Sequence, residues 1–135
     1  MTPEFVVLAQ RAVACSKWRW MRGMTLVVED TISDAEQARE LITWADPGGM
    51  GYYRHRNTSI GDLPDLTDPA TLGCLLVLVR EAWNDNTITT QFHPSVGTPD
   101  RKRWRVWQSG NPIAYGVSEP EALVSALEQS LLHSK

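Results

Sequence analysis

The sequence predicts an α+β domain in which an antiparallel β-sheet is covered by helices, a layered α/β/α arrangement. Three observations carry this expectation. Four segments open on helix-capping residues and continue with apolar residues at helical spacing. The last third of the chain alternates as half-buried strands do. The order helix, strands, helix, strand, helix, three strands, helix suits a meandering sheet.

The first helix is expected from Pro3 to Ala14, with Thr2 as N-cap, Pro3 in the first helical position and Glu4 near the positive helix end. Its stripe is Val6, Ala9 and Val13, flanked by Phe5, Leu8 and Ala12. Trp18 to Met21 and Thr25 to Glu29 read as strands around a turn at Gly23. Ser33-Asp34-Ala35-Glu36 is a capping box, which predicts a helix from Asp34 to Trp44, ended by Asp46-Pro47-Gly48-Gly49. Tyr52 to Arg56 reads as a short strand and Asn57 to Thr67 as a loop.

Asp68 caps a helix running from Pro69 to Trp83. Leu72, Leu75, Leu76, Val79 and Trp83 form one stripe, and Cys74, Val77 and Leu78 make the opposite side apolar as well. Such a helix is either sandwiched inside the domain or carries a homo-oligomer contact. Thr87 to Phe92 and Arg101 to Gln108 then read as strands joined by a loop from His93 to Asp100. After a turn at Ser109 to Pro112, Ile113 to Gly116 is another short strand. Ser118-Glu119-Pro120-Glu121 is a second capping box, and Ala122, Leu123, Ala126, Leu127 and Leu131 form the core face of the final helix.

Composition bounds what such a chain does. The 135 residues suit a single domain, which at this length buries roughly two-thirds of its unfolded surface without needing disulfides or metals. Cys15 and Cys74 lack paired C-x-x-C spacing and read as small apolar residues. The longest apolar run, Cys74 to Val79, is far short of the roughly 20 residues of a membrane span, and the N-terminus lacks the pattern of a signal peptide. The expectation is a cytoplasmic protein with no membrane partner. A net charge of −3 argues against general nucleic-acid binding, which leaves small ligands and proteins as partners. Ten of the 13 basic residues are Arg, and there are six Trp; both types are enriched in binding hot spots, although a Trp-filled core accounts for the rings equally well.

The segment from Leu63 to Thr71 leading into an apolar helix, the aromatic strands after it, and Pro112 to Gly116 before Glu121-Ala122-Leu123 resemble small phage proteins of the ABA-sandwich type. The resemblance covers residues 63–132 and not the N-terminal part. It implies phage origin and the layered fold, in a family with no settled biochemical role. Small phage proteins outside the structural and replication sets commonly act against host defences. The resemblance therefore implies immune evasion in the host cytoplasm.

No catalytic constellation is apparent, and the chain is not expected to be an enzyme or to need a cofactor or metal. His55, His93 and His133 are scattered, and Gly48-Gly49-Met50-Gly51 lacks the Lys and Ser or Thr of a phosphate loop. Asp62, Asp65 and Asp68 repeat every three residues, which suits either a nucleic-acid mimic or ordinary turn and cap chemistry.

Three clusters join Arg to aromatic residues, around Trp18-Arg19, Tyr52 to Arg56, and Arg101 to Trp107. Strand alternation puts Arg101, Arg103, Arg105 and Trp107 on one face and Lys102, Trp104 and Val106 on the other. A guanidinium row suits capture of phosphate with rings as stacking platforms, and it equally suits a solvated outer face. The expected ligand-binding residues are Trp18, Arg19, Tyr52, Arg54, Arg56, Arg103, Trp104 and Arg105. The function they suggest is sequestration of a small phosphate-bearing nucleotide signal. The alternatives are a protein inhibitor of a host defence enzyme or CRISPR complex, and a non-enzymatic regulatory or structural phage protein.

Overall fold

A computed structural model describes residues 3–28, 38–41, 44–45, 52–53, 63–93 and 103–133. They form an α+β fold of helices and antiparallel sheets, as the sequence predicts. The chain divides into two compact units, one comprising Met1–Val13 and Arg19–Cys74, the other Ala14–Trp18 and Leu75–Lys135.

In the first unit, α1 spans Pro3–Ala14 with the predicted bounds and buries Leu8, Ala9 and Ala12, while Val7 is exposed. Thr2 lies outside the described residues. Trp18 to Met21 is coil and not a strand, because its backbone is spent on turns. The Trp18 amide donates to the Cys15 carbonyl at 3.0 Å, and the Met21 carbonyl accepts from Met24 N–H at 3.1 Å. Gly23, at φ 98°, makes the turn into β1 (Thr25–Val28), a conformation that L side chains resist.

The helix expected from Asp34 to Trp44 is not formed where the structure describes this segment. Ala38–Leu41 is a strand, β2, antiparallel to β1 with Thr25 opposite Leu41 and Val28 opposite Ala38. Ala, Arg, Glu and Leu all favour helix, but propensity is worth only tenths of a kcal/mol per residue, and pairing with the β-branched β1 overrides it. Ser33 to Glu36 lies outside the described residues. Trp44–Ala45 (β3) pairs with Tyr52–Tyr53 (β4) as a two-stranded ribbon. Within the expected loop, Leu63–Pro64 forms β5 on the other edge of β1, so this sheet has the order β2-β1-β5.

Asp68 joins β1 to the start of α2 (Pro69–Trp83). Its Oδ2 accepts from the Thr71 amide at 3.1 Å, the bond of an N-cap to the third helical residue, and from the Thr71 and Thr25 hydroxyls at 3.0 and 3.3 Å. Thr71 Oγ1 in turn accepts from the Thr25 amide at 2.9 Å. Asp65, buried, accepts from the Thr67 amide and hydroxyl. Both described members of the acidic series are thus engaged in turn and cap chemistry. Asp62 lies outside the described residues.

Further along α2, Leu75, Leu78 and Val79 are buried, Leu72, Cys74 and Leu76 are half-buried, and Val77 is exposed. Past Trp83 the helix closes on Asn84, at φ 52°, with Asn84 N–H donating to Glu81 O at 3.1 Å and Asp85 N–H to Arg80 O at 2.9 Å. This pair of bonds is a Schellman closure with Asn in the left-handed position.

The second unit is built on the sheet β6-β7-β8: β6 (Thr89–Phe92), β7 (Trp104–Gln108) and β8 (Asn111–Gly116), all antiparallel. β8 starts two residues before the expected strand. Ser109 and Gly110 carry positive φ, 49° and 82°, and make a two-residue turn whose handedness matches strand twist. Pro112 is tolerated because β8 is an edge strand. The register slips between Val106 and Trp107, a bulge that leaves Trp107 opposite Pro112.

α3 (Glu119–His133) lies along this sheet. Ser118 Oγ accepts from Glu121 N–H at 3.3 Å, as its capping box predicts, and Glu121 Oε2 reaches back to Val117 N–H at 3.4 Å. Ala122, Leu123, Val124, Ala126 and Leu127 are buried with Val106 and Ala114 of the sheet, whereas Leu131 is 41% exposed and not part of the core. Trp83 Nε1 donates to Ala126 O at 2.8 Å, and Arg80 Nε to Ile88 O at 2.9 Å, which fixes the end of α2 to α3 and to the start of β6.

Candidate functional site

Alternation on β6-β7-β8 separates two faces. Val106, fully buried, stands opposite Thr90 and Ala114, so Trp104, Val106 and their partners Phe92 and Gly116 belong to the face that carries α3. The other face presents Thr89, Gln91 and His93 from β6 and the residue after it, Arg103, Arg105 and Trp107 from β7 and the residue before it, and Tyr115 from β8. The His93 amide donates to Arg103 O at 2.7 Å and extends the ladder to this pair.

This second face has an exposed rim and a half-buried centre. Thr89, Gln91, Arg103 and Tyr115 are exposed; His93, Arg105 and Trp107 are half-buried. Arg105 lies with its guanidinium carbon 5.6 Å from the centre of the Tyr115 ring, a cation–π contact between cross-strand partners. The His93 and Trp107 rings are 5.6 Å apart and tilted by 36°. Arg105 Nε, Trp107 Nε1 and His93 Nε2 are each buried with no hydrogen-bond partner. No Asp or Glu is present among the described residues of the face, so the two guanidinium charges are not neutralised within it.

The expected site residues divide accordingly. Arg103 and Arg105 share the face, as strand alternation predicts, with Trp107 beside them. Trp104 does not: its side chain stands on the α3 face, its ring 5.4 Å from Phe92, because a residue one step along a strand points the opposite way. Arg54, Arg56 and Arg101 lie outside the described residues. Tyr52, in β4, and Arg19, in the coil after α1, belong to the first unit, and Trp18 is half-buried in the short Ala14–Trp18 segment of the second. His93 and Tyr115, central to the arrangement, come from the strand register, which the single-strand alternation of Arg101 to Trp107 does not contain.

Other chemistry is sparse. Among the described residues no cluster of His, Cys, Asp and Glu could hold a metal ion, and no helix is long and apolar enough to cross a membrane. Both cysteines are free thiols. Cys15 is buried; Cys74 is half-buried and donates to Arg22 O at 3.7 Å. Burial, and then the Asp68 carboxylate, push the Cys74 thiol pKa up, which suits a structural thiol and not a nucleophile.

Comparison with protein-family models found no match, nor did comparison with curated proteins or with solved structures.

Proposed function

We propose that this chain is a binding protein whose β6-β7-β8 face captures a small phosphate-bearing nucleotide. The observation that carries this reading is the acid-free placement of Arg103 and Arg105 beside Tyr115, Trp107 and His93 on one sheet face. Guanidinium groups offer bidentate donors to phosphate oxygens, and the exposed Tyr115 ring offers stacking area to a base. The biological setting, sequestration of a host defence signal in the cytoplasm of a phage-infected cell, rests on the resemblance over residues 63–132.

Two measurements test the reading. Mass spectrometry of small molecules released by heat from the purified protein is expected to show a retained nucleotide. Calorimetric titration with a panel of linear and cyclic nucleotides is expected to show binding that Arg103→Ala weakens by about 1.5–3 kcal/mol, the range for hydrogen bonds to charged groups. An exposed guanidinium with no ligand role would change affinity by less than about 1 kcal/mol.

A second reading has its own observation. At one end of the sheet Phe92 is 50% exposed with its ring 5.4 Å from that of Trp104, an apolar pair suited to a protein partner. Absence of nucleotide binding by the wild type would move the assignment to a protein inhibitor, or to a homo-oligomer contact in which the exposed Val77 of α2 takes part.

A further inference from the structure

We propose that the outer edge of β6 pairs with the same edge of a second copy of this chain, antiparallel and about a two-fold axis at Gln91, whatever ligand the sheet face takes. The ladder to β7 fixes which backbone groups are left over. The His93 amide donates to Arg103 O at 2.7 Å, and bonded pairs recur at every second residue of an antiparallel ladder, so Gln91–Arg105 and Thr89–Trp107 are the bonded pairs. Thr90 and Phe92 stand opposite Val106 and Trp104 in the non-bonded positions, and their N–H and C=O groups point away from β7. Among the described residues no strand lies on that side.

The two edges of this sheet differ. β8 carries Pro112 and faces a bulge, both of which blunt an edge against pairing. β6, Thr-Thr-Gln-Phe, has no Pro, no charged residue and an unbroken register with β7. Its neighbours restrict how a partner aligns. Ile88 O, just before the strand, already accepts from Arg80 Nε at 2.9 Å, and position 94 is a Pro with no N–H to give. An axis at Gln91 sets Thr90 of each copy against Phe92 of the other and matches every free N–H with a free C=O. An axis at Thr90 or Phe92 would instead set Phe92 against Ile88, or Thr90 against Pro94.

The chemistry of the strand suits its own copy. Foreign partners are commonly selected by charge of opposite sign, and β6 offers none. A two-fold axis brings each side chain near its own image, which an uncharged strand tolerates. The Gln91 amide both donates and accepts and so complements itself, while Phe92, 50% exposed, meets the β-branched Thr90 across the join. The product is a continuous sheet of six strands, three from each copy, with both Arg105 faces on the same side. The edge is short, so the association belongs with weak interfaces below about 1,200 Å².

Cysteine cross-linking of the full chain measures the register. In Gln91→Cys the two symmetry-related Cα atoms stand about 4.5 Å apart, within the range a disulfide spans. In Thr89→Cys, at an equally exposed position, they are more than about 13 Å apart, beyond that range. Under mild oxidation Gln91→Cys is expected to form covalent dimer roughly tenfold faster than Thr89→Cys or the wild type, whose Cys15 and Cys74 give the background. In sedimentation the wild type is expected to dimerise reversibly. Gln91→Lys and Gln91→Glu should each weaken this several-fold by setting like charges across the axis, and an equal mixture of the two should restore it. Equal cross-linking of Gln91→Cys and Thr89→Cys would overturn the register, as would charge variants that associate like the wild type. A wild type that stays monomeric at roughly 1 mM, where even a Kd of that size would show, would overturn the pairing itself.

Discussion

Replacing Gly116 with Ala tests how closely β8 and α3 approach. A Cβ on Gly116 would meet the backbone amide nitrogen of Ala122, the carbonyl oxygen of Ser118 at 2.8 Å and the carbonyl carbon of Glu121 at 2.9 Å. All three are backbone atoms of the first turn of α3, which is held by the Ser118 cap. None can swing aside as a side chain would, so the strand or the helix must move. Overpacking of this kind costs about 1–3 kcal/mol, and the lower unfolded-state entropy of Ala returns about 0.4–1 kcal/mol. The net expectation is a loss of about 1–2 kcal/mol. In urea denaturation it appears as a midpoint lowered by roughly 0.5–1 M at unchanged slope. Gly73→Ala is the matched control: the glycine is exposed inside α2, and its added Cβ meets nothing within 4 Å. There the same change is expected to stabilise by about 0.5–1 kcal/mol through helix propensity. If both variants raise the midpoint, the close strand–helix approach is refuted.

Three further outcomes are expected. Asp68→Ala removes the α2 cap and strips the buried Thr71 hydroxyl of its acceptor, so denaturation should show a loss of about 2–3 kcal/mol, with Asp68→Asn recovering part of it. The Asp85 carboxylate, which accepts from the hydroxyl and amide of Thr87, titrates below the ordinary Asp range. A depressed folded pKa gives stability that is present above the unfolded value and is lost as pH falls through the folded one; Asp85→Asn should flatten that acid limb, and an NMR titration placing the carboxyl at or above pH 3.9 would refute it. Cys74, whose thiol pKa is raised, is expected to alkylate with iodoacetamide more slowly at neutral pH than a free cysteine peptide, and mass spectrometry showing equal or faster modification would contradict the assigned environment.

The starts of α2 and α3 were legible because they are encoded within a few residues. Asp68 accepts from Thr71 and Ser118 from Glu121, so both of these starts are set by a contact three residues long that the sequence displays directly. The segment from Asp34 to Trp44 shows the limit of such reading. Its capping box and helix-forming residues are local signals, whereas β2 exists through pairing with β1, at least 10 residues away along the chain. Pro64 and Pro112 mislead for a related reason: Pro argues against a strand in general, yet β5 and β8 are both edge strands, where the missing N–H goes unused.

The candidate site divides along the same line. Alternation within β7 is enough to put Arg103, Arg105 and Trp107 on one face, since period two depends on nothing beyond the strand itself. The partners of those residues are set by register, and register depends on turn geometry. The two-residue turn at Ser109 and Gly110, followed by the bulge after Val106, puts Tyr115 and not a neighbour opposite Arg105. Shifting that register by one residue would replace the Tyr115 ring with Ala114 or Gly116 and remove the cation–π contact. The turn and the bulge are therefore part of what defines the face, and a substitution at Gly110 that breaks the turn is expected to remove the Arg105–Tyr115 contact even where Arg105 itself is untouched.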